Sequence, residues 1–189
     1  GNINLDPEKS KTNEIFMSYD LQENFTIKST AYKATIFDRI ESTSNYRSYE
    51  NKKLDLNQEG LESELIFNNS NQSISIFTNF SKSKNTAGGP QLRRPDITYG
   101  ANYFKKDIGS PIGNFDINLN YKYTGKHWDT NSGNVEVKST NIIDMRLSKN
   151  FYGANWNLNI SNLLNEKYER PATYGQDDRQ LRIGFTKKY

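Results

Sequence analysis

The chain alternates. Across 154–161, Trp156, Leu158 and Ile160 take every second position, and Asn155, Asn157, Asn159 and Ser161 fill the places between. Successive side chains of a β-strand point to opposite sides, so such a segment carries an apolar face and a polar face at once. The pattern recurs with Phe115, Ile117, Leu119, Tyr121 and Tyr123, with Ile74, Ile76, Thr78 and Phe80, and with Ile97, Tyr99, Ala101 and Tyr103. Ile143, Met145 and Leu147 repeat it, as do Leu181, Ile183 and Phe185 near the end and, more weakly, Ile15, Met17, Tyr19, Phe25 and Ile27. These periods predict about nine strands and no helix of useful length.

Between Leu54 and Phe67 the apolar parity slips, from Leu54 and Leu56 to Leu61, Leu65 and Phe67, and a one-residue bulge near Glu59–Gly60 is expected to absorb the slip. The links between strands take turns in length. Short ones at 20–24, 68–71, 105–113 and 149–153 alternate with longer ones at 38–53, 82–91, 125–140 and 164–178. In an antiparallel meander this gathers every long loop at one edge of the sheet and every tight turn at the other, the arrangement of outer-membrane barrels.

Composition sharpens the reading. With 189 residues of which 33% are hydrophobic, the chain has the length of a domain without the material of an ordinary core. Its 12 Tyr, 10 Phe and 2 Trp argue against disorder, which is poor in aromatics. No apolar run approaches the roughly 18 residues of a membrane-spanning helix. A spanning barrel remains open, because strands that alternate between lipid and water average out to a polar composition. A net charge of +3, with basic residues scattered, shows no stripe for nucleic acid. The absence of Cys removes disulfides, thiolate metal sites and cysteine nucleophiles. No secretion signal opens the chain at Gly1-Asn2-Ile3-Asn4, so an exported protein would be incomplete or processed here.

Candidate constellations give way to plainer readings. His127 is the single His, too little for a triad or a His-based metal site, and it is expected with Trp128 where a strand leaves the bilayer. Glu62 and Glu64, with Asp55 and Glu59 nearby, are expected on a solvated polar wall rather than in a catalytic pair. The Asn-x-Ser/Thr triplets at Asn24, Asn68, Asn71, Asn79 and Asn159 are what an Asn- and Ser-rich chain produces by chance. Arg93–Arg94 and Lys105–Lys106 fall at opposite ends of one strand, as interfacial anchors do. No enzyme activity, cofactor or metal is expected.

The segment Ile160-Ser161-Asn162-Leu163-Leu164-Asn165-Glu166-Lys167-Tyr168-Glu169, followed by Tyr174-Gly175 and by Arg179 opening a last strand, resembles the terminal motif of TonB-dependent outer-membrane receptors. Leu164 and Asn165 stand where that family has Phe and Asp, and the chain ends on Tyr189 where Phe is usual. Gly1 to Ser10, with Pro7 and Glu8, resembles the family's Gly-Asn-Pro-x-Leu-x-Pro-Glu-Lys-Ser segment, and Gly60-Leu61-Glu62 its Gly-(Val/Leu)-Glu strand. Gln91-Leu92-Arg93-Arg94-Pro95 and Tyr121-x-Tyr-x-Gly125 with Asp129 are similar to the cobalamin-receptor branch in particular.

The resemblance implies an all-β antiparallel meander of about nine transmembrane strands, residues 1–189 being the C-terminal portion of a barrel of about 22 strands. The plug domain, the TonB box and the N-terminal strands would be absent. It implies a wall in the outer membrane of a Gram-negative bacterium, bordered by outer-membrane lipid. The full receptor would take up a scarce nutrient complex, cobalamin first and a ferric siderophore second, with energy supplied through TonB and a signal passed to the plug. Tyr46, Tyr49, Trp128 and Tyr174 are the candidate mouth residues; Pro7, Glu8, Gly60, Glu62, Arg94, Asn162, Leu163, Tyr168, Arg179 and Tyr189 are the motif's structural positions. Two other readings stay open: a complete small porin-like barrel, and a soluble carbohydrate-binding β-sandwich whose apolar faces would meet each other.

Overall fold

The structure, a computed structural model, describes residues 2–43, 47–85, 91–130 and 133–187. Tyr46 and Tyr189 lie outside them. Thirteen strands follow in order: β1 (Lys9–Gln22), β2 (Phe25–Phe37), β3 (Ile40–Ser42), β4 (Tyr49–Asn51), β5 (Leu56–Asn68), β6 (Gln72–Asn85), β7 (Ile97–Ile108), β8 (Phe115–Thr124), β9 (His127–Trp128), β10 (Glu136–Val137), β11 (Thr140–Phe151), β12 (Ala154–Ser161) and β13 (Gln180–Lys187). Nine form one antiparallel sheet in the order β1-β2-β5-β6-β7-β8-β11-β12-β13, a simple meander. The other four are two small hairpins, β3–β4 and β9–β10, built inside the first and third long loops. No helix among the described residues is long and apolar enough to cross a membrane.

Registry turns the sequence alternation into two continuous surfaces. Cross-strand partners share a face, and one row of partners runs Phe25, Phe67, Ile74, Tyr103, Leu119, Met145, Ile160, Leu181 across eight strands. One residue over, the opposite face carries Asp20, Thr26, Ile66, Ser75, Asn102, Asn120, Asp144, Ser161 and Gln180. That polar row is tied side chain to side chain: the Thr26 hydroxyl donates to Asp20 at 2.7 Å, Asn102 to Ser75 at 3.1 Å, and the Asn120 amide to Asn102. Lys28, Glu64 and Lys122 belong to the next polar row, and Glu62 accepts a bond from Asn79 at 3.1 Å. Glu62 and Glu64 are thus wall residues on the polar face.

The parity slip has a different cause from the one expected. Pairing of β5 with β2 and with β6 runs without a shift from Leu56 to Phe67, so no bulge lies at Glu59–Gly60. Leu56 sits on the polar face near the loop end and is 2% exposed, while Leu61, Leu65 and Phe67 sit on the apolar face. An apolar residue has changed sides because local loop structure covers it there. The register shifts that do occur lie at Asp20/Gln22 and Lys105/Ile108, beside the turns.

Gly60 has a reason of its own. The Tyr32 ring crosses its polar face to bring the hydroxyl to Ser81 Oγ at 3.2 Å, and a Cβ at Gly60 would meet Tyr32 Oη and the Phe80 carbonyl at 2.6 Å. The Phe77 ring lies over Gly100 in the same way, 2.7 Å from where a Cβ would stand. The turn at Tyr152–Gly153 has φ of +50° and +69°, the two positive values that match a two-residue hairpin to the strand twist.

Among the described residues no second sheet or layer packs against the apolar face. Leu181, Ile183 and Phe185 are 62%, 71% and 64% exposed, and the buried hydrophobic residues are few: Ala34, Leu56, Val137, Ala154 and Ala172. A sandwich would bury that face against a second sheet, so the sandwich reading fails. The closed small barrel fails as well, because β1 and β13 are the two ends of the sheet and do not pair. Aromatic rings border the apolar face at both ends. Phe80, Tyr99, Tyr121 and Tyr123 stand at the loop end, with Tyr99 stacked on Tyr123 at 4.6 Å. At the turn end are Tyr19, Phe25, Phe67, Phe115, Phe151, Trp156 and Phe185, with Trp156 stacked on Phe185 at 5.1 Å. From Phe115 to Tyr123 a strand tilted by about 40° climbs roughly 21 Å, close to the height of a barrel's apolar band.

Two measurements check this division of faces. In the intact protein folded into lipid vesicles, Ile76→Arg on the apolar face should lower the unfolding free energy by about 2–4 kcal/mol, and Thr30→Arg on the polar face by less than about 1 kcal/mol. Urea titration followed by heat-modifiable gel migration reads both. Gly60→Ala should cost about 1–3 kcal/mol by the same titration, and pairing it with Tyr32→Ala should recover only part of that, since the Phe80 carbonyl remains.

Candidate functional site

The long loops gather at one end, each secured by a different device. In the first, the chain before β1 is bonded to the β3–β4 hairpin. Asn51 accepts the Asp6 N–H at 2.8 Å and donates to the Asp6 carbonyl at 2.9 Å and the Asp38 carbonyl at 2.6 Å. Glu8 accepts the Ile40 N–H at 2.7 Å. The Pro7–Glu8 motif is therefore a strap, with Glu8 doing the tying and Pro7 exposed beside it. Charge pairs Arg39–Glu41 at 2.7 Å and Lys52–Glu50 at 2.8 Å flank the hairpin. The Glu50 carboxylate, hydrogen-bonded to Lys52, holds that ammonium above its ordinary value. Tyr49 lies on β4, 55% exposed, its carbonyl accepting from Asn2 at 2.9 Å.

The second and third loops are joined by one ion pair. Arg93, at φ +55°, donates its backbone N–H to the Trp128 carbonyl at 2.7 Å and its Nε to Asp129 Oδ1 at 2.5 Å. Gln91 reaches the polar face, where its side-chain carbonyl accepts from the Ser83 hydroxyl and from the Gln58 amide, the latter at 3.3 Å. Above Phe80, β6 outruns β7, and a niche of about 430 Å³ opens between its upper edge and the β9–β10 hairpin. Lys82, Lys84, Arg94 and Lys126 line it against Asp96 and Glu136, with Trp128 as the aromatic wall. Lys126 is paired with Glu136 at 2.9 Å; the cationic excess rests on the other three. His127 is 6% exposed, with its Nδ1 3.2 Å from the Gly125 carbonyl. His127 and Trp128 thus sit in the loop layer above the ring of tyrosines, not at the edge of the apolar band, because the chain folds into a hairpin on leaving β8. Arg93 likewise clamps two loops together instead of anchoring a strand end.

The last loop is organised by Asn162, 5% exposed at φ +53°. Its amide accepts the Glu166 N–H at 2.8 Å and donates to the Glu166 carbonyl at 2.9 Å, while its own N–H donates to Asp144 at 2.8 Å. Leu163 donates its N–H to the Ile143 carbonyl at 2.7 Å, which fixes the loop to β11. Asn165 then accepts the Arg179 N–H at 2.8 Å, and Arg179 Nη1 returns to the Leu163 carbonyl at 3.4 Å. The motif reads as a knot that delivers the chain to β13. Tyr168, half-buried, accepts the Gln176 N–H at 2.9 Å through its carbonyl and lines a second cavity of about 630 Å³ with Glu136, Lys138, Glu166, Lys167 and Asp178. Tyr174 is 67% exposed at the tip.

Of the candidate mouth residues among those described, Trp128 alone lines one of these two cavities. Tyr49, Trp128 and Tyr174 stand on three separate loops, and no hydrogen bond or ring contact brings them together among the described residues. The lysines and Arg94 of the niche come from the two flanks of the second long loop and from the third; the strand registry, which leaves the β6 edge bare, assembles them. No group of His, Asp and Glu able to hold a metal ion occurs among the described residues.

Comparison with known proteins agrees with this layout. Residues 1–163 match the family model described as TonB dependent receptor-like, beta-barrel. No curated protein matches. Among solved structures, the FrpB iron transporter from Neisseria meningitidis is similar at TM-score 0.74 and 17% identity, over 96% of this chain and 31% of its own. The ferric yersiniabactin uptake receptor FyuA from Yersinia pestis gives TM-score 0.76 and 18% identity, over 94% of this chain and 29% of its own. The ferripyoverdine receptor of the outer membrane of Pseudomonas aeruginosa gives TM-score 0.76 and 12% identity, over 96% and 27%. The chain spans less than a third of the length of each of these structures.

Asn162→Ala should loosen the last loop and cost about 1–3 kcal/mol, since it strands the Glu166 N–H and the Glu166 and Asp177 carbonyls; trypsin cleavage at Lys167 should quicken correspondingly. A double-mutant cycle on Arg93 and Asp129 should return a coupling of about 1 kcal/mol at low salt that shrinks at high salt, as expected of a partly exposed pair.

Proposed function

The chain belongs to the TonB-dependent receptor β-barrel family, and from that premise we propose that residues 1–189 form the C-terminal portion of an outer-membrane receptor barrel that takes up a ferric siderophore. The observation that carries the reading is the apolar face, unbroken across nine strands and edged by aromatic rings at both ends, which suits a wall standing in lipid. The polar face would line the lumen, the long loops would form the extracellular mouth, and the plug and TonB would be partners supplied outside this stretch. Its role is transport: binding at the mouth, a signal to the plug, and energy received from TonB.

The choice of substrate rests on two supports. The solved structures of similar fold are named for iron or ferric-siderophore uptake, and the niche lined by Lys82, Lys84 and Arg94 favours a negatively charged chelate. Cobalamin is the second reading. It is favoured by the Arg93–Asp129 pair, which physically joins the two segments that resemble the cobalamin branch.

The deciding experiment is uptake by cells carrying or lacking the full-length receptor. Radiolabelled iron supplied as siderophore complexes should accumulate in a receptor- and TonB-dependent way, and labelled cobalamin should not. Cobalamin uptake alone would reverse the order of the two, and receptor-dependent uptake that survives loss of TonB would sink the energised mechanism.

A further inference from the structure

The turn end of the wall carries a groove on its apolar face that the strands alone would not make. The β7–β8 turn leans across that face, so that Pro111 and Ile112 roof a space of about 610 Å³ floored by Phe115, Leu147, Leu158 and Ile183. The space is within the size of sites that hold small ligands. Trp156 closes one side, stacked on Phe185 in the aromatic border. At the rim stands Lys149, the direct cross-strand partner of Trp156 and so a cation on the apolar face, level with the aromatic ring belt. Its ammonium donates to the Ile112 carbonyl, which pins the turn, and lies 5.6 Å from the Phe151 ring centre. No carboxylate among the described residues pairs with it, and two of its three N–H bonds remain for another acceptor.

An apolar slot on a lipid-facing surface, with one unpaired cation at headgroup depth, matches one kind of molecule: a single chain long enough to fill the slot, joined to an anion at the belt. We propose that this groove holds one glycerophospholipid of the leaflet at the turn end, an acyl chain lying under Ile112 and along Leu147 and Leu158, the phosphate on Lys149. A protein partner would meet Trp156 and Phe185 at a depth occupied by lipid, and a free phosphate would leave the slot unfilled. The site is formed by β8, β11, β12, β13 and the β7–β8 turn, so it does not depend on which strands complete the barrel. It rests on the reading that the apolar face meets lipid.

The test is native mass spectrometry of the full-length receptor extracted in mild detergent and titrated with phosphatidylglycerol. Wild type should keep one lipid adduct at collision energies that strip the rest, and Lys149→Gln should lower its occupancy by about tenfold, the effect of losing one charge-assisted contact. Ile112→Ser, which removes the roof but not the charge, should lower it several-fold, by about the share of one buried side chain. Photoactivatable phosphatidylglycerol should crosslink to 110–115 and 147–158. Heat-modifiable migration establishes that each variant is folded. Equal occupancy in wild type and both folded variants would overturn the site, and equal retention of an uncharged alkyl glycoside would overturn the phosphate contact. A receptor absent from the outer-membrane fraction would instead refute the lipid-facing reading beneath it.

Discussion

Every backbone N–H and C=O in a wall that crosses lipid must find its partner within the protein, because the hydrocarbon offers none. That requirement explains why the chain is a meander of neighbours with uninterrupted ladders, why its two register shifts lie beside turns, and why irregular backbone is confined to the loop end and the turns. Side-chain chemistry is then free to differ completely between faces. One sheet carries an unbroken apolar surface and a hydrogen-bonded polar one, separated by the thickness of a single backbone.

The two faces hold together in different ways. On the apolar side, packing is lateral except where the β7–β8 turn folds over the face: rings stack along the borders and aliphatic side chains sit beside their cross-strand neighbours. On the polar side, amides and hydroxyls link strand to strand through Asn120, Asn102 and Ser75, while Tyr32 and Phe77 lie across glycines that leave them room. A Gly in mid-strand ordinarily weakens a sheet; Gly60 and Gly100 do so less because an aromatic ring from the neighbouring strand covers each.

Much of this was legible in the residues because it depends on period two and on loop length. Trp156, Leu158 and Ile160 announced their face, and the alternation of long and short links announced which ends gather. Leu56 misled because a buried apolar residue looks the same to a parity argument whether lipid or a covering loop hides it. The two hairpins inside the loops left too short a period to detect. The niche and the groove were invisible for another reason: Lys82, Arg94 and Lys126, like Ile112 and Lys149, meet only through registry and the fold of a turn, and no local spacing records that. The terminal motif is recognisable as a pattern, but its physical content, an Asn in the left-handed region satisfying three partners, exists only once the loop has folded onto β11.

The meander also sets how the wall bears load. Its strands run steeply between loop end and turn end, so a pull directed along that axis is shared by whole ladders stretched in shear, and many hydrogen bonds must fail together. A sideways pull on β1 or β13 would open its ladder one pair at a time, like a zip. The wall is therefore stiff along its axis and weak only at its seams, which makes closure of those seams the step that gives the sheet its durability.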